Sequence, residues 1–227
     1  MPIVNPIRPN FIGDLTNIKA KIKTDVTQTQ YIFDEIIYVA GLFGHSPSVQ
    51  YQHLIDILDS RDHVYDVIKR AGIKIDVKVT GALTECICQI ALDATIPNRY
   101  STLPNKWKWL GDFAIIASPF NLYVSVKSYK AKERLLVSGT GQFTAPVIGY
   151  GLFDKPGEWS ESRTKQYKQR GFIAIYMPRA LYDRLSASSK TVKNIYERPL
   201  LRIIDDFADD ISAACPAGTY EIDYDSF

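Results

Sequence analysis

Apolar residues recur at helical spacing through the first third of the chain. Residues 14–43 carry one such stripe, which predicts a helix, and glycine and proline residues follow it. Residues 48–70 predict a second helix of the same kind, and residues 81–94 a third with a buried apolar stripe. Between them, residues 73–79 alternate apolar and polar side chains, which predicts a short strand.

The spacing changes to a period of two after residue 109. Residues 110–117 and 122–128 alternate in this way and predict two strands joined by a turn. The glycine-rich residues 138–156 predict a long loop or an irregular hairpin. The remaining pattern predicts a helix, a strand and two further helices, at residues 160–170, 172–177, 178–185 and 196–214. This order indicates an α/β fold with a mixed sheet flanked by helices.

We expect a single domain over residues 1–227. It would consist of a helical part (1–72), a core (73–180) and C-terminal helices (181–227). The composition is 46% hydrophobic and 23% charged, which is typical of globular proteins. A net charge of +2 argues against a protein that coats nucleic acid by bulk charge. Basic residues nevertheless outnumber acidic ones between residues 107 and 170, which suits one basic cleft.

Three cysteines in a chain of this length indicate a reducing compartment rather than a disulfide framework. No stretch approaches the roughly 18 uncharged apolar residues of a membrane span, and residues 1–10 lack the apolar run of a signal peptide. The sequence therefore predicts a cytoplasmic protein with no membrane partner. The acidic residues 205–210 are interpreted as the solvated face of a helix.

The predicted hairpin brings chemistry-bearing residues together. With the turn centred on Pro119 and Phe120, facing residues have numbers that sum to 239, so Asp112 faces Lys127. Ser125 shares the face of Lys127 because side chains alternate along a strand. A carboxylate suits a hard cation such as Mg²⁺, and an adjacent cation can stabilise a phosphoryl group that gains negative charge. A simple cross-strand Asp–Lys pair is the alternative.

This spacing resembles the signature of the PD-(D/E)xK nucleases. That superfamily includes most type II restriction endonucleases and the archaeal Holliday-junction resolvases. Asp112 is followed 13 residues later by Ser125, Val126 and Lys127, and the similarity covers residues 81–177. Two positions depart from the pattern: Ser125 stands in place of the middle acid, and Gly111 stands where proline often precedes the aspartate.

The resemblance implies a restriction-endonuclease-like fold that binds Mg²⁺. Asp112 would be a metal ligand, Lys127 would position or activate a water molecule, and Ser125 would line the site. Some members supply the missing carboxylate from a downstream helix, which implies Glu133, whereas others carry an acid on the preceding helix, which implies Glu85. Glu85 is therefore the second candidate metal ligand.

Polar and basic side chains after the hairpin are candidates for DNA contacts, since lysine and arginine bind phosphates and glutamine reads base edges. The candidates are Lys130, Lys132, Arg134, Gln142, Arg163, Lys165, Lys168 and Arg170. For the second half of this set, the solvated face of a helix is the alternative. Two tryptophans alternate with two lysines over residues 106–109. They could contact a DNA backbone, or they could pack as part of the core and its lid.

The resemblance implies a type II restriction endonuclease that hydrolyses both strands of double-stranded DNA. Cutting at a symmetric site favours a C₂ homodimer, and a methyltransferase of the same system would protect host DNA. Two alternatives stay open. One is a resolvase or repair nuclease of the same fold that recognises DNA structure. The other is a DNA-binding protein without catalytic activity, which Ser125 suggests.

Overall fold

The computed structural model describes residues 4–21, 25–58, 62–75, 77–128, 135 and 145–227. The chain divides into two compact units, Met1–Ile90 and Ala91–Phe227. The division falls within one long helix, and each unit has a core of its own.

The first unit is helical. Its helices are α1 (Phe11–Lys21), α2 (Asp25–Val39), α3 (Pro47–Leu58), α4 (Asp62–Arg70) and α5 (Val77–Thr95), whose last turn belongs to the second unit. Buried side chains of α1, α2, α4 and α5, including Leu15, Ile32, Ile68 and Leu83, form its core. Apolar stripes at helical spacing therefore gain their burial by packing against one another, as the sequence predicted.

Two predictions for this unit differ from the structure in their boundaries, and a third is wrong. Residues 14–43 and 48–70 each form two helices rather than one. The predicted strand over residues 73–79 is absent, since Val77 already begins α5. Val79, Leu83 and Ile87 are buried at i, i+4 spacing, so packing favours the helix over the local alternation.

The second unit contains a six-stranded mixed sheet with strand order β1-β2-β3-β4-β5-β6. The strands are β1 (Tyr100–Thr102), β2 (Phe113–Ile115), β3 (Leu122–Lys127), β4 (Val147–Gly151), β5 (Phe172–Met177) and β6 (Leu201–Ile203). The first three pair antiparallel and the last four pair parallel. The carboxyl ends of β3 to β6 and the start of β2 consequently meet at one edge of the sheet.

Among the described residues, four helices flank this sheet: α6 (Glu161–Gln169), α7 (Arg179–Asp183), α8 (Ala187–Lys190) and α9 (Phe207–Ala214). Helix α6 connects β4 to β5, and α7 and α8 connect β5 to β6. Trp159, Tyr167 and Phe172 lie fully buried in this core with their rings in contact. The mixed α/β class is thereby confirmed. No helix in the described part of the chain is long and apolar enough to cross a membrane.

The sequence analysis did not predict three of the strands, β1, β4 and β6. Strand β4 lies where a glycine-rich loop or an irregular hairpin was expected, because Gly149 and Gly151 are packing positions inside a strand. A Cβ atom on Gly151 would lie 2.3 Å from the carbonyl oxygen of Lys127, so β4 can approach β3 only with glycine there. The helix predicted over residues 196–214 is wrong in its first half, which contains β6.

Candidate active site

The hairpin of β2 and β3 has a register two residues away from the predicted one. Phe113 faces Val124, so facing numbers sum to 237 rather than 239. The turn differs because the Asn121 side chain accepts a hydrogen bond from the backbone N–H of Ala117, 3.1 Å away. Asp112 still lies on the predicted face, at the same edge of the sheet as the end of β3.

Asp112 is almost completely buried and its two carboxylate oxygens have different partners. Oδ2 accepts a 2.7 Å hydrogen bond from the backbone N–H of Val126 and lies 3.2 Å from Nζ of Lys127. Oδ1 lies 3.5 Å from Nζ of Lys108. The backbone of Asp112 is held too, since its N–H donates to the carbonyl of Val124 at 2.7 Å. A carboxylate fixed in this way has one orientation available.

Two lysines of unequal burial meet at this carboxylate. The Lys127 side chain is 11% exposed and also donates to the carbonyl oxygen of Val126 at 2.8 Å. The Lys108 side chain is 35% exposed and reaches Asp112 from the loop that precedes β2. Two ammonium groups against one carboxylate give the cluster a formal charge of +1.

Glycine at position 111 lets the chain approach β3 closely enough to deliver Asp112. A Cβ atom there would lie 2.8 Å from the carbonyl oxygen of Val124. A side chain at this position would push the loop off the strand and change the carboxylate position. In the nuclease family that the sequence resembles, proline often precedes this aspartate. Glycine stands here instead for a local steric reason.

Ser125 is completely buried, and its Oγ has no hydrogen-bond partner among the described residues. A buried hydroxyl without a partner costs about 1–3 kcal/mol. Ser125 faces Gly149 of β4, and its two chain neighbours, Val124 and Val126, both hydrogen-bond to Asp112. An orphaned oxygen beside a fixed carboxylate is a feature that a ligand or an ordered water molecule would satisfy.

These oxygens can be compared with what Mg²⁺ requires. Mg²⁺ keeps several waters and commonly binds through one or two carboxylates together with substrate phosphates. Asp112 supplies one carboxylate and Ser125 one unsatisfied oxygen, so they fit a site that substrate and water complete. Within the described ranges, no group of three or more histidine, cysteine or acidic residues forms a closed metal cluster.

Several predicted site residues belong to the first unit or fall outside the described residues. Glu85 is on α5 in the first unit and is partly exposed. Five predicted residues fall outside the described ranges: Lys130, Lys132, Glu133, Arg134 and Gln142.

Helix α6 carries the other predicted DNA contacts. Ser160 caps it by accepting from the N–H of Arg163. Thr164 and Tyr167 face the core, and the four basic residues keep exposed or partly exposed positions: Arg163, Lys165, Lys168 and Arg170. Lys165 is paired with Glu161 at 2.6 Å. The helix therefore combines a buried face with a mainly basic outer face.

The sequence analysis named Lys108 only as a possible contact to a DNA backbone and missed its ion pair with Asp112. This lysine lies four positions before Asp112, a spacing that brings side chains together wherever the chain forms a helical turn. A short 3₁₀ turn at Asn105–Trp107 and a hydrogen bond from the N–H of Leu110 to the carbonyl of Trp107 supply that turn. The spacing of four residues between Lys108 and Asp112 is visible in the sequence. Lysine at this spacing from an acid is common, however, so the spacing alone does not indicate a contact.

The acidic residues 205–210 are more ordered than the solvated face that was predicted. Asp210 accepts from Arg202 at 2.6 Å and from the hydroxyl of Tyr176 at 2.6 Å, which ties α9 to β5 and β6. Asp205 pairs with Arg179. Burial, with Asp210 and Asp205 nearby, raises the pKa of Asp206 above its ordinary value. Asp205 and Asp210 therefore form ion pairs, whereas Asp206 and Asp209 are exposed, as predicted for a solvated face.

The arrangement at Asp112 is thus a fixed carboxylate, a buried lysine, a second lysine on a loop and an unsatisfied hydroxyl. Comparison with protein-family models, curated proteins and solved structures finds no match to this chain.

Proposed function

We propose that this protein is a nuclease of the restriction-endonuclease-like fold, and that it acts as a type II restriction endonuclease on double-stranded DNA. The observation that carries the proposal is the contact between Oδ2 of Asp112 and Nζ of Lys127, 3.2 Å apart at one edge of the mixed sheet. The chain brings these two residues together from positions 15 apart, as the resembling nucleases do with their aspartate and lysine.

Charge at the site favours a phosphodiester substrate. The cluster of Asp112, Lys127 and Lys108 has a formal charge of +1. A scissile phosphodiester carries one negative charge and gains more as a nucleophile attacks it. Lys127 is nearly buried and pre-positioned, so its ammonium group stabilises that added charge without reorganisation.

Each residue has a distinct role in the proposal. Asp112 holds Lys127 in place, and the hydroxyl of Ser125 lines the space in which the substrate binds. A bound Mg²⁺ would neutralise phosphoryl oxygens and lower the pKa of a bound water. Asp112 would hold this ion, and Glu133, which the resemblance implies, would supply the second carboxylate.

The rest of the proposal concerns the assembly. The outer face of α6 would contact DNA phosphates through Arg163, Lys168 and Arg170. A C₂ homodimer would cut the two antiparallel strands of a symmetric site. The protein would act in the cytoplasm, beside a methyltransferase that protects host DNA.

The experiment is a digest of unmethylated phage and plasmid DNA, with Mg²⁺ and with EDTA, followed by mapping of the fragment ends. Discrete fragments with one shared end sequence, formed only with Mg²⁺, are expected. Cleavage confined to branched or looped DNA would instead assign a structure-specific nuclease. Sequence-specific binding without cleavage by freshly purified protein would assign a DNA-binding protein and overturn the catalytic proposal.

A further inference from the structure

Two tryptophans lie exposed on the loop that leads into the candidate site. Trp107 and Trp109 are 44% and 47% exposed, whereas Trp159, the third tryptophan of the chain, is 1% exposed. The sequence left open whether the alternating tryptophans form core plus lid, and the structure places both rings at the surface. Exposed tryptophan is unusual in a soluble domain and commonly marks a binding surface.

The two rings are not stacked on each other. Their centroids are 6.3 Å apart and their planes are tilted by 42°. Nζ of Lys106 lies 5.7 Å from the centroid of Trp107, so a cation accompanies the aromatic surface. Flat aromatic area with an adjacent ammonium group can stack on another ring system and contact an anion at the same time.

This aromatic loop is tied to the candidate active site at two points. The N–H of Leu103 donates to the carbonyl oxygen of Asp112 at 2.9 Å, which closes the base of the loop. Between the tryptophans, Lys108 reaches Oδ1 of Asp112 at 3.5 Å. The segment that carries Trp107 and Trp109 is therefore joined to Asp112 by a backbone hydrogen bond and by Lys108.

Charge identifies the kind of ligand that fits. Residues 103–111 contain Lys106 and Lys108 and no acidic residue. The ligand should be anionic and should present flat π faces, which is the chemistry of a nucleic acid with accessible bases. Paired bases inside a duplex are already stacked on their neighbours, so only unpaired bases offer free faces.

We propose that Trp107 and Trp109 form a stacking platform for unpaired nucleobases next to the phosphate held at Asp112 and Lys127. The location of that phosphate rests on the proposed function, whereas stacking by the two tryptophans does not. In duplex DNA the platform would receive bases that leave the helix beside the cut. In single-stranded or frayed DNA it would bind bases directly.

The test uses two single-stranded oligonucleotides of equal length. One carries bases throughout, and the other carries abasic residues over its central part, so both have the same number of phosphates. Binding is followed by anisotropy of a label on the oligonucleotide and by tryptophan fluorescence. The proteins are the full chain, Trp107→Ala, Trp109→Ala, the phenylalanine variants at both positions, and Phe120→Ala. Phe120 is an exposed ring at the hairpin turn, at the opposite end of β2 and β3 from Asp112.

The full chain should bind the base-bearing strand at least about tenfold more tightly than the abasic strand, with quenching of tryptophan fluorescence. Each alanine variant should remove most of this preference, the phenylalanine variants should keep part of it, and Phe120→Ala should keep all of it. Equal affinity for the two strands, or a preference that survives both alanine substitutions, overturns the platform. So does binding to anionic lipid vesicles with no binding to either strand.

Failure of the platform and failure of the nuclease proposal give different results. If wild-type protein cuts duplex DNA with Mg²⁺ but binds the base-bearing and abasic strands equally, the platform is wrong and the nuclease stands. If no cleavage occurs but the base-dependent binding is present and lost in the alanine variants, the platform stands and the nuclease is wrong.

Discussion

The backbone N–H of Val126 donates a 2.7 Å hydrogen bond to Oδ2 of Asp112, a residue that lies just before β2. The carboxylate thereby takes the place of a main-chain acceptor at the end of the hairpin. This contact fixes Asp112 and links its position to the backbone of β3, which ends one residue later at Lys127. Stability and site geometry are consequently coupled at this point.

Substitutions of Asp112 should separate its charge from its hydrogen bond. Asp112→Asn keeps an oxygen that can accept from Val126, but removes the negative charge that Lys127 and Lys108 contact. Asp112→Ala removes the acceptor as well and leaves a buried N–H unpaired, which costs about 1–3 kcal/mol more. Urea unfolding should rank wild type above the asparagine variant and that above the alanine variant. Equal stability of the two variants would show that the hydrogen bond contributes nothing.

Gly151→Ala should destabilise the protein by about 1–3 kcal/mol or more, because its Cβ would meet the carbonyl oxygen of Lys127 at 2.3 Å. It should also reduce activity, since Lys127 must move. Gly157→Ala is the matched control, because nothing lies within 4 Å of a Cβ there. That variant should change the free energy of unfolding by less than about 1 kcal/mol. A Gly151→Ala protein as stable as Gly157→Ala would contradict the packing described for β3 and β4.

Ser125→Ala should leave stability unchanged or raise it by up to about 1 kcal/mol, because it removes a buried hydroxyl that has no partner among the described residues. Ser125→Val fills the same space with a larger group and should destabilise. If the hydroxyl serves the ligand, Ser125→Ala should lower activity while thermal melting is preserved. A clear loss of stability in Ser125→Ala would mean that the hydroxyl has a structural partner.

Burial raises the pKa of Tyr167 to about 12, with Arg163 opposing the shift and Glu158 adding to it. The unfolded chain ionises near pH 10, so folding stability is fully present below that value and falls as the pH rises from about 10 to 12. The hydroxyl of Tyr167 has no hydrogen-bond partner in the described ranges, so Tyr167→Phe should fold normally at pH 7.

Between about pH 9 and pH 12, the Tyr167→Phe protein should lose about 2 kcal/mol less stability than wild type. Urea unfolding at several pH values measures the difference, and Tyr182→Phe, at a partly exposed ring, is the control. Parallel stability curves for wild type and Tyr167→Phe would contradict the assigned burial of this hydroxyl.

The hairpin shows how far sequence reasoning reached at the site. Alternation at period two predicted both strands, and the shared face brought Asp112, Ser125 and Lys127 together despite a register error of two residues. The error arose at the turn, where the Asn121 side chain closes the loop in a way that apolar spacing does not encode. A lysine side chain is long enough to span a shift of two residues, so Lys127 still contacts Asp112.

Other features depended on contacts that the sequence pattern does not contain. Strands β4 and β6 are short and are stabilised by neighbouring parallel strands. Their own composition does not show this pairing, and it predicted a loop or an irregular hairpin for β4 and a helix for β6. The role of Gly151 emerges only when β4 lies against β3. Lys108 joins the site through a single 3₁₀ turn, and the exposure of Trp107 and Trp109 followed from that loop rather than from their spacing.

The most direct test of the central claim is Mg²⁺-dependent cleavage of unmethylated phage DNA by four matched proteins. Asp112→Asn and Lys127→Met alter the site, whereas Asp209→Asn and Lys155→Met remove the same charges at exposed positions. Wild type and both exposed-site variants should give the same discrete fragments. The two site variants should be folded by circular dichroism and at least about 100-fold slower. Undiminished cleavage by either folded site variant would contradict the assignment of Asp112 and Lys127.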